Sequence, residues 1–162
     1  MRDHGGDIDS AARRFGRGDW IDLSTGINRR PYPAAAPGPH AMTALPTGAD
    51  MARLLAAASD RFGCPRHDLL ALAGASAAIQ ILPRVLNGQR AAVLSPSYNE
   101  HAASLRAAGW QVAEPHDPDA LSGADLAVIV NPNNPDGREY APAQIARIAA
   151  GVGHLLVDES FA

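Results

Sequence analysis

The stretch Asn131–Gly137 (NPNNPDG) follows directly after Ala124–Val130, a mainly apolar run that ends in three β-branched residues. A short apolar run of this kind predicts a strand that is buried on both faces. The prolines prevent the strand from continuing, and Gly137 permits a backbone turn that other residues resist. In open parallel sheets, ligands bind at the carboxyl ends of the strands. Asn, Pro and Gly also form ordinary turns, so this stretch alone supports either a ligand site or a simple turn.

Helical and strand patterns alternate from Thr47 onwards. A helix capped by Thr47 or Asp50 is expected to end near Gly63. The other predicted helices cover 77–86, 99–108 and 142–150, and the predicted strands cover 69–72, 90–94, 111–113, 126–130 and 154–157. This alternation predicts an α/β fold with a mainly parallel sheet covered by helices.

Residues 1–46 have a different character from residues 47–162, and we divide the chain into two regions at this point. The first region predicts a helix over Ile8–Phe15, starting near Asp9 or Ser10, and a short strand over Trp20–Ser24. An Ala-, Pro- and Gly-rich tract then runs to Pro39 and predicts an extended arm. Such an arm buries little apolar surface of its own, which indicates a partner surface on a second domain or subunit.

Composition excludes several classes of protein. A net charge of −3 argues against a nucleic-acid-binding stripe or a polybasic membrane patch. No apolar run approaches the length of a membrane span, and the N-terminus has no apolar core typical of a signal peptide. The single Cys64 excludes an internal disulfide and favours a reducing compartment, so we expect a cytoplasmic protein. The chain contains no lysine.

Chemically distinctive residues follow four of the predicted strands. A small-residue turn at a helix start suits phosphate, an aromatic ring can stack on a flat ligand, and a carboxylate after a buried strand needs a cation or a donor. A tight turn, ordinary packing, and a helix cap or structural ion pair are the respective alternatives. The residues are Gly74, Ala75 and Ser76, then Tyr98, Asn134 and Asp158.

Taken in this order, the motifs AGAS, PSY, NPNNPDG and LLVDESF resemble the aspartate-aminotransferase fold family of pyridoxal-phosphate enzymes. The resemblance covers the whole chain and corresponds to the N-terminal half of such an enzyme. It implies an arm followed by the first part of a large cofactor-binding domain, incomplete in these 162 residues. The cofactor implied is pyridoxal 5′-phosphate.

The resemblance also implies a role for each residue. The turn Gly74–Ser76 would bind the cofactor phosphate, and Tyr98 would stack on the pyridine ring. Asn134 would donate to the ring hydroxyl, and Asp158 would pair with the ring nitrogen and keep it protonated. Phe161 stands where many relatives have a tyrosine that hydrogen-bonds the ring hydroxyl, so that bond is expected to be missing or supplied elsewhere.

A second departure concerns a tyrosine that many relatives use to reach the neighbouring subunit's cofactor phosphate. Leu45 occupies that position here. The phosphate site would therefore have one donor fewer, unless Tyr32 compensates.

The arm narrows the resemblance further. The segments His4–Asp7 and Trp20–Asn28 are similar to the start of threonine-phosphate decarboxylases, which belong to cobalamin biosynthesis. The implied substrate is L-threonine O-3-phosphate, and the implied product is (R)-1-amino-2-propanol O-2-phosphate. His4, Gly26 and Asn28 are the candidate substrate-binding residues. A mobile terminus would equally explain His4, and a turn would explain Asn28.

The family's Schiff-base lysine is absent from this chain, so no residue here is assigned as catalytic. We expect the chain to be a truncated part of a longer enzyme, and to be inactive alone. Covalent, borohydride-trappable cofactor on the isolated chain would contradict this. The family resemblance and the arm together imply a homodimer with a shared active site.

Two other functions stay open. A histidinol-phosphate-type aminotransferase shares the same motifs, and the residues that choose between decarboxylation and transamination are mostly outside this sequence. A non-catalytic nucleotide- or partner-binding α/β module would also alternate strands and helices, although the chain lacks GxGxxG after its first strand and lacks GxxxxGK[ST].

Overall fold

The computed structural model describes residues 5–162, so His4 lies outside the described part of the chain. The chain forms two compact units, and each is described by itself. One unit combines Met1–Gly26 with Gly74–Ala162, and the other is Ile27–Ala73. The region boundary at residue 46 stays a prediction.

The first unit contains a four-stranded sheet. Its strands are β1 Arg90–Val93, β2 Gln111–Ala113, β3 Leu126–Val130 and β4 His154–Asp158. Every pairing is parallel, and the spatial order is β2-β1-β3-β4. The predicted parallel α/β fold is therefore confirmed. Because parallel strands end at the same edge, the loops after β1, β3 and β4 all leave the sheet on one side.

Six α-helices occur among residues 5–162. They are α1 Ile8–Phe15, α2 Pro39–Thr43, α3 Gly48–Phe62, α4 Ala75–Val85, α5 Asn99–Ala107 and α6 Pro142–Ala149. Short 3₁₀ turns cover Arg66–Asp68 and Pro118–Leu121. None of these helices combines the length and hydrophobicity that crossing a bilayer requires.

Two apolar clusters cover the two faces of the sheet. Leu126 and Val128 of β3 pack on one face with Leu105 of α5. Ile129 packs on the other face with Ile148 of α6. Alternate residues of a strand point to opposite faces, so the continuous apolar run of β3 is what a doubly covered strand requires. Each such large side chain contributes about 1.5–3 kcal/mol on burial.

The second unit, Ile27–Ala73, is dominated by α3. Thr47 accepts a hydrogen bond from the backbone N–H of Asp50, and the Asp50 side chain accepts one from the backbone N–H of Thr47. This capping box confirms the predicted helix start, and Gly63 ends the helix in the left-handed conformation with φ +66°. No residue of α3 is buried.

Two predicted strands are wrong. At Trp20–Ser24, the Asp22 carboxylate accepts hydrogen bonds from the backbone N–H and the hydroxyl of Ser24, which forms a turn instead. At Leu69–Leu72 the chain is irregular and has no neighbouring strand among the described residues, and Leu70 is exposed. A strand needs a partner, and a local apolar pattern does not supply one.

Smaller corrections concern element ends. Helix α1 has the predicted bounds, with Asp9 and Ser10 in its first turn, and its N-cap is Asp7, which was not predicted. Helix α4 begins at Ala75, before the predicted residue 77, because Gly74 already takes the N-cap position. Pro39 starts the short helix α2, which was not predicted, because proline tolerates the first helical turn.

Candidate functional site

A cavity of about 440 Å³ lies beside the loops that follow β1 and β3. Tyr98 comes from the loop after β1, and Asn134 comes from the loop after β3. Ser24, Thr25 and Gly26 line the same cavity from the N-terminal segment of this unit. We call this space the strand-end cavity. The structure thus brings together three predicted site residues: Tyr98, Asn134 and Gly26.

Asp158 is the last residue of β4, and it forms a partly buried pair with His101 of α5. The Nε2 atom of His101 lies 2.8 Å from Oδ2 of Asp158. The side chains are 2% and 10% exposed, respectively. The hydrogen bond from His101, helped by hydrogen bonds from Ser160 and opposed by burial, lowers the pKa of Asp158 to about 2. Asp158 is therefore ionised at neutral pH.

The ionised state fixes the direction of these hydrogen bonds. A carboxylate has no hydrogen to donate, so Nε2 of His101 carries the hydrogen and donates it. The other oxygen, Oδ1, accepts from the backbone N–H of Ser160 at 3.0 Å and from its hydroxyl at 2.5 Å. A carboxylate offers about four acceptor positions. Three of these positions are used among residues 5–162, and Asp158 does not belong to the described residues that line the strand-end cavity.

His101 also contacts Tyr98. Their ring centroids are 6.2 Å apart at an interplanar angle of 85°, an edge-to-face arrangement. His101 therefore touches both the acid at the end of β4 and an aromatic ring at the strand-end cavity. His101 was not predicted from the sequence, although it lies three residues after Tyr98, the N-cap of α5, a spacing that puts the two residues on the same side of the helix.

The turn Gly74–Ser76 lies at the start of α4. Gly74 takes the N-cap position with φ +82°, a conformation that favours glycine, and no side chain caps the helix. The first amides of an uncapped helix are available to an anion. The turn does not belong to the described residues that line the strand-end cavity.

Two N-terminal sequence segments meet in this unit. The backbone N–H of Gly6 donates to the hydroxyl of Ser24 at 2.7 Å. Gly5 has φ +67° and lies so close to Ser24 that a side chain there would overlap it. Gly5 also lines the strand-end cavity. The neighbouring His4, a candidate substrate-binding residue, lies outside the described residues.

Phe161 contacts Gly26. A Cβ atom added to Gly26 would lie 2.9 Å from Cε1 of the Phe161 ring. The residue that replaces the family's tyrosine therefore packs against the N-terminal segment. Asn28, by contrast, belongs to the other unit, where its side chain accepts a hydrogen bond from the backbone N–H of Arg30 at 2.8 Å.

Three further residues bear on the site: Ser97 in this unit, and Leu45 and Tyr32 in the other. Ser97 lines the strand-end cavity, and its buried hydroxyl has no hydrogen-bond partner among residues 5–162. Leu45 and Tyr32 are exposed residues of the other unit. No short motif distinguishes Ser97 in the sequence from any other turn serine.

Comparison with known proteins gives one family. The chain matches the family model described as "Aminotransferase class I and II" over residues 47–162. It is 45% identical to a threonine-phosphate decarboxylase of Pseudomonas aeruginosa over 99% of this chain and 50% of that protein. It is 42% identical to another from a Sinorhizobium species, over 98% of this chain and 50% of that protein. The chain thus spans about half the length of the curated relatives it matches.

A more distant relative and two solved structures agree with this family. A histidinol-phosphate aminotransferase of Mycobacterium bovis is 34% identical over 72% of this chain and 34% of its own. The L-threonine-O-3-phosphate decarboxylase of Porphyromonas gingivalis matches with a TM-score of 0.60 at 23% identity, covering 67% of this chain and 37% of that one. A Sinorhizobium meliloti histidinol-phosphate aminotransferase in complex with pyridoxal-5′-phosphate matches with a TM-score of 0.61 at 17% identity, covering 67% of this chain and 34% of that one. These structures support the fold.

Proposed function

Because this chain belongs to the class I and II aminotransferase family, we propose that it binds pyridoxal 5′-phosphate as part of a threonine-phosphate decarboxylase. Relatives of that name match nearly the whole chain. The histidinol-phosphate aminotransferases match a shorter part of it at lower identity.

The observation that carries the cofactor proposal is the partly buried, ionised Asp158 at the end of β4. Its pKa of about 2 keeps the negative charge at any physiological pH. Within the described residues it accepts one hydrogen bond from His101 and two from Ser160, and a protonated ring nitrogen would be a further donor to it. A partly buried negative charge fits a cationic pyridine and would not fit a neutral apolar ligand.

The other residues fit the remaining parts of the cofactor. Bound pyridoxal phosphate supplies an electron sink for bond cleavage at the substrate's α-carbon, and ring protonation strengthens that sink. Tyr98 and Asn134, which both line the strand-end cavity, would hold the ring face and the ring hydroxyl. The amides of the turn Gly74–Ser76 would bind the phosphate. Asp158 would hold a proton on the ring nitrogen.

The proposed reaction converts L-threonine O-3-phosphate to carbon dioxide and 1-amino-2-propanol O-2-phosphate. The bond to the carboxylate breaks, its electron pair passes to the α-carbon, and a proton then adds to that carbon. Gly26, Asn28 and His4 are proposed to contact the substrate. The 162 residues contain no lysine, so the role proposed for this chain is binding and orientation, and not covalent attachment of the cofactor.

The test uses the protein at its natural length, loaded with pyridoxal phosphate. Incubation with L-threonine O-3-phosphate is expected to release carbon dioxide without an added keto acid. Transamination of histidinol phosphate that depends on 2-oxoglutarate, with no carbon dioxide from threonine phosphate, would instead assign the aminotransferase function. Failure to bind the cofactor would contradict both functions.

We also propose that the protein is a homodimer. The unit Ile27–Ala73 supports this, because it has no buried residue and exposes large apolar side chains, including Met51, Leu54 and Phe62. Exposed apolar surface on this scale is typical of a surface that another chain covers.

A further inference from the structure

Where they reach the strand-end cavity, the loops after β1 and β3 are no longer held together by backbone hydrogen bonds. The last backbone hydrogen bond between these neighbouring segments runs from the N–H of Leu94 to the carbonyl of Val128 at 3.0 Å. Within the described chain, no backbone hydrogen bond joins 95–98 to 131–137. The spacing between Tyr98 and Asn134 is therefore not set by the sheet ladder.

Asn133 supplies the connection. Its side-chain NH₂ group donates to the carbonyl of Pro96 in the other loop at 2.9 Å. It also donates to Oδ1 of Asp136 in its own loop at 2.7 Å. Both partners are acceptors only, so both amide hydrogens are used and the orientation of the amide is fixed. Across the part of the chain that the structure describes, no other side-chain hydrogen bond joins these two loops.

The position of this bond relates it directly to the cavity. Pro96 precedes Tyr98 by two residues, and Asn134 directly follows Asn133. Tyr98 and Asn134 both line the strand-end cavity, whereas Asn133 and Pro96 do not. A change at Asn133 would therefore alter the spacing of the two cavity residues without removing a cavity contact.

We propose that Asn133 is a positioning residue that sets the spacing between Tyr98 and Asn134, and through it the fit of the cofactor ring. This inference rests on the proposed function, since a flat ring must be held at its face and at its edge together. It assigns to Asn133 a task that differs from that of Asn134, although the two residues are adjacent and chemically identical.

The test measures non-covalent ring binding with the protein at its natural length and free of cofactor. The probe is pyridoxine 5′-phosphate, which has no aldehyde and so cannot bond to a lysine. Calorimetry gives its Kd for the parent protein, Asn133→Ala, Tyr98→Ala and the double variant. Asn133→Ala is expected to raise Kd about tenfold in the parent protein, the effect of losing a well-formed hydrogen bond. In the Tyr98→Ala background, Asn133→Ala is expected to raise Kd less than about twofold, because the tyrosine ring that Asn133 positions is absent.

Asp136→Ala is the matched control. It removes the partner of Asn133 within the loop, together with the hydrogen bond that Asp136 accepts from the backbone N–H of Arg138. It leaves the bond to Pro96, so Kd is expected to change less than about twofold. If Asp136→Ala raises Kd as much as Asn133→Ala does, Asn133 shapes only its own loop and the proposal is wrong. Equal effects of Asn133→Ala in the parent and Tyr98→Ala backgrounds would also overturn it.

A second variant covers the case in which Asn133→Ala does not fold. Asn133→Ser shortens the side chain but keeps a hydrogen-bond donor. Its Kd for pyridoxine 5′-phosphate is measured with and without Tyr98→Ala, as for Asn133→Ala. Thermal unfolding of each variant identifies folded samples. If the parent protein itself does not bind pyridoxine 5′-phosphate, the proposed function fails; if it binds but the cycle is additive, only the role of Asn133 fails.

Discussion

At the scale of single residues, the pair of His101 and Asp158 links stability to pH. The pKa of Asp158 is about 2 in the folded chain, against an ordinary value of 3.8. Because the pKa is lower in the folded state, the ionised carboxylate stabilises that state at any pH above the ordinary pKa. This stabilisation disappears as the pH falls from the ordinary pKa to the folded-state pKa. The contribution is about 2 kcal/mol at neutral pH. It should therefore be lost between about pH 4 and pH 2.

We predict that His101→Phe reduces this acid dependence. The variant leaves Asp158 without its main donor, so its pKa should rise towards the ordinary value, and the free energy of unfolding at pH 7 should fall by about 2 kcal/mol. Urea unfolding of both proteins between pH 7 and pH 2 measures the difference. His154→Phe changes an exposed histidine at the start of the same strand and should leave the pH dependence unchanged. An unchanged acid dependence in His101→Phe would contradict the claim that His101 lowers the pKa of Asp158.

The contact between Gly26 and Phe161 gives a second prediction at this scale. Gly26→Ala should destabilise the protein by about 1 kcal/mol, because the new Cβ atom would meet the Phe161 ring. The cost should disappear in the Phe161→Ala background, where the ring is absent. Thermal unfolding of the single and double variants measures this. Gly18→Ala is the control, since a Cβ atom at Gly18 would meet no other atom within 4 Å.

At the scale of elements, α3 depends on its capping box. Thr47→Ala removes the side-chain oxygen that accepts from the N–H of Asp50. We expect the helix to lose about 1 kcal/mol of local stability. Hydrogen exchange of the α3 amides should become faster, while exchange in β3 stays slow. Thr47→Ser keeps the oxygen and should behave like the parent protein. Equal exchange rates in the Ala and Ser variants would mean that the capping box does not stabilise α3.

At the scale of the whole molecule, the exposed face of α3 tests the proposed homodimer. Leu54 is 53% exposed on a helix without a buried residue. Leu54→Asp should shift the protein from dimer to monomer, because burying an unpaired carboxylate in an apolar interface is costly. Sedimentation velocity at several concentrations measures the association. Ala52→Asp adds the same charge about 200° around the helix and should leave the dimer intact; dissociation by both variants would indicate a general charge effect.

The sequence determined the elements whose causes are local. The apolar run of β3 needs burial on both faces wherever it lies, so its parallel, doubly covered position followed from its residues. The cap of α3 and its end at Gly63 also followed, because both depend on residues within one helical turn. The order of the strand-end motifs, together with the loops that follow them, was enough to indicate the family.

Only the tertiary structure decided which residues meet. Trp20–Ser24 and Leu69–Leu72 have the local pattern of strands, yet neither has a partner strand in the described chain, and so neither forms one. His101 and Asp158 are separated by 57 residues, and their bond exists because α5 packs where β4 ends. The contact of Asn133 with Pro96 arises in the same way, from loops that become neighbours only after β1 and β3 pair. Local preferences act within a few residues, whereas a binding site is built from segments that only long-range packing brings together.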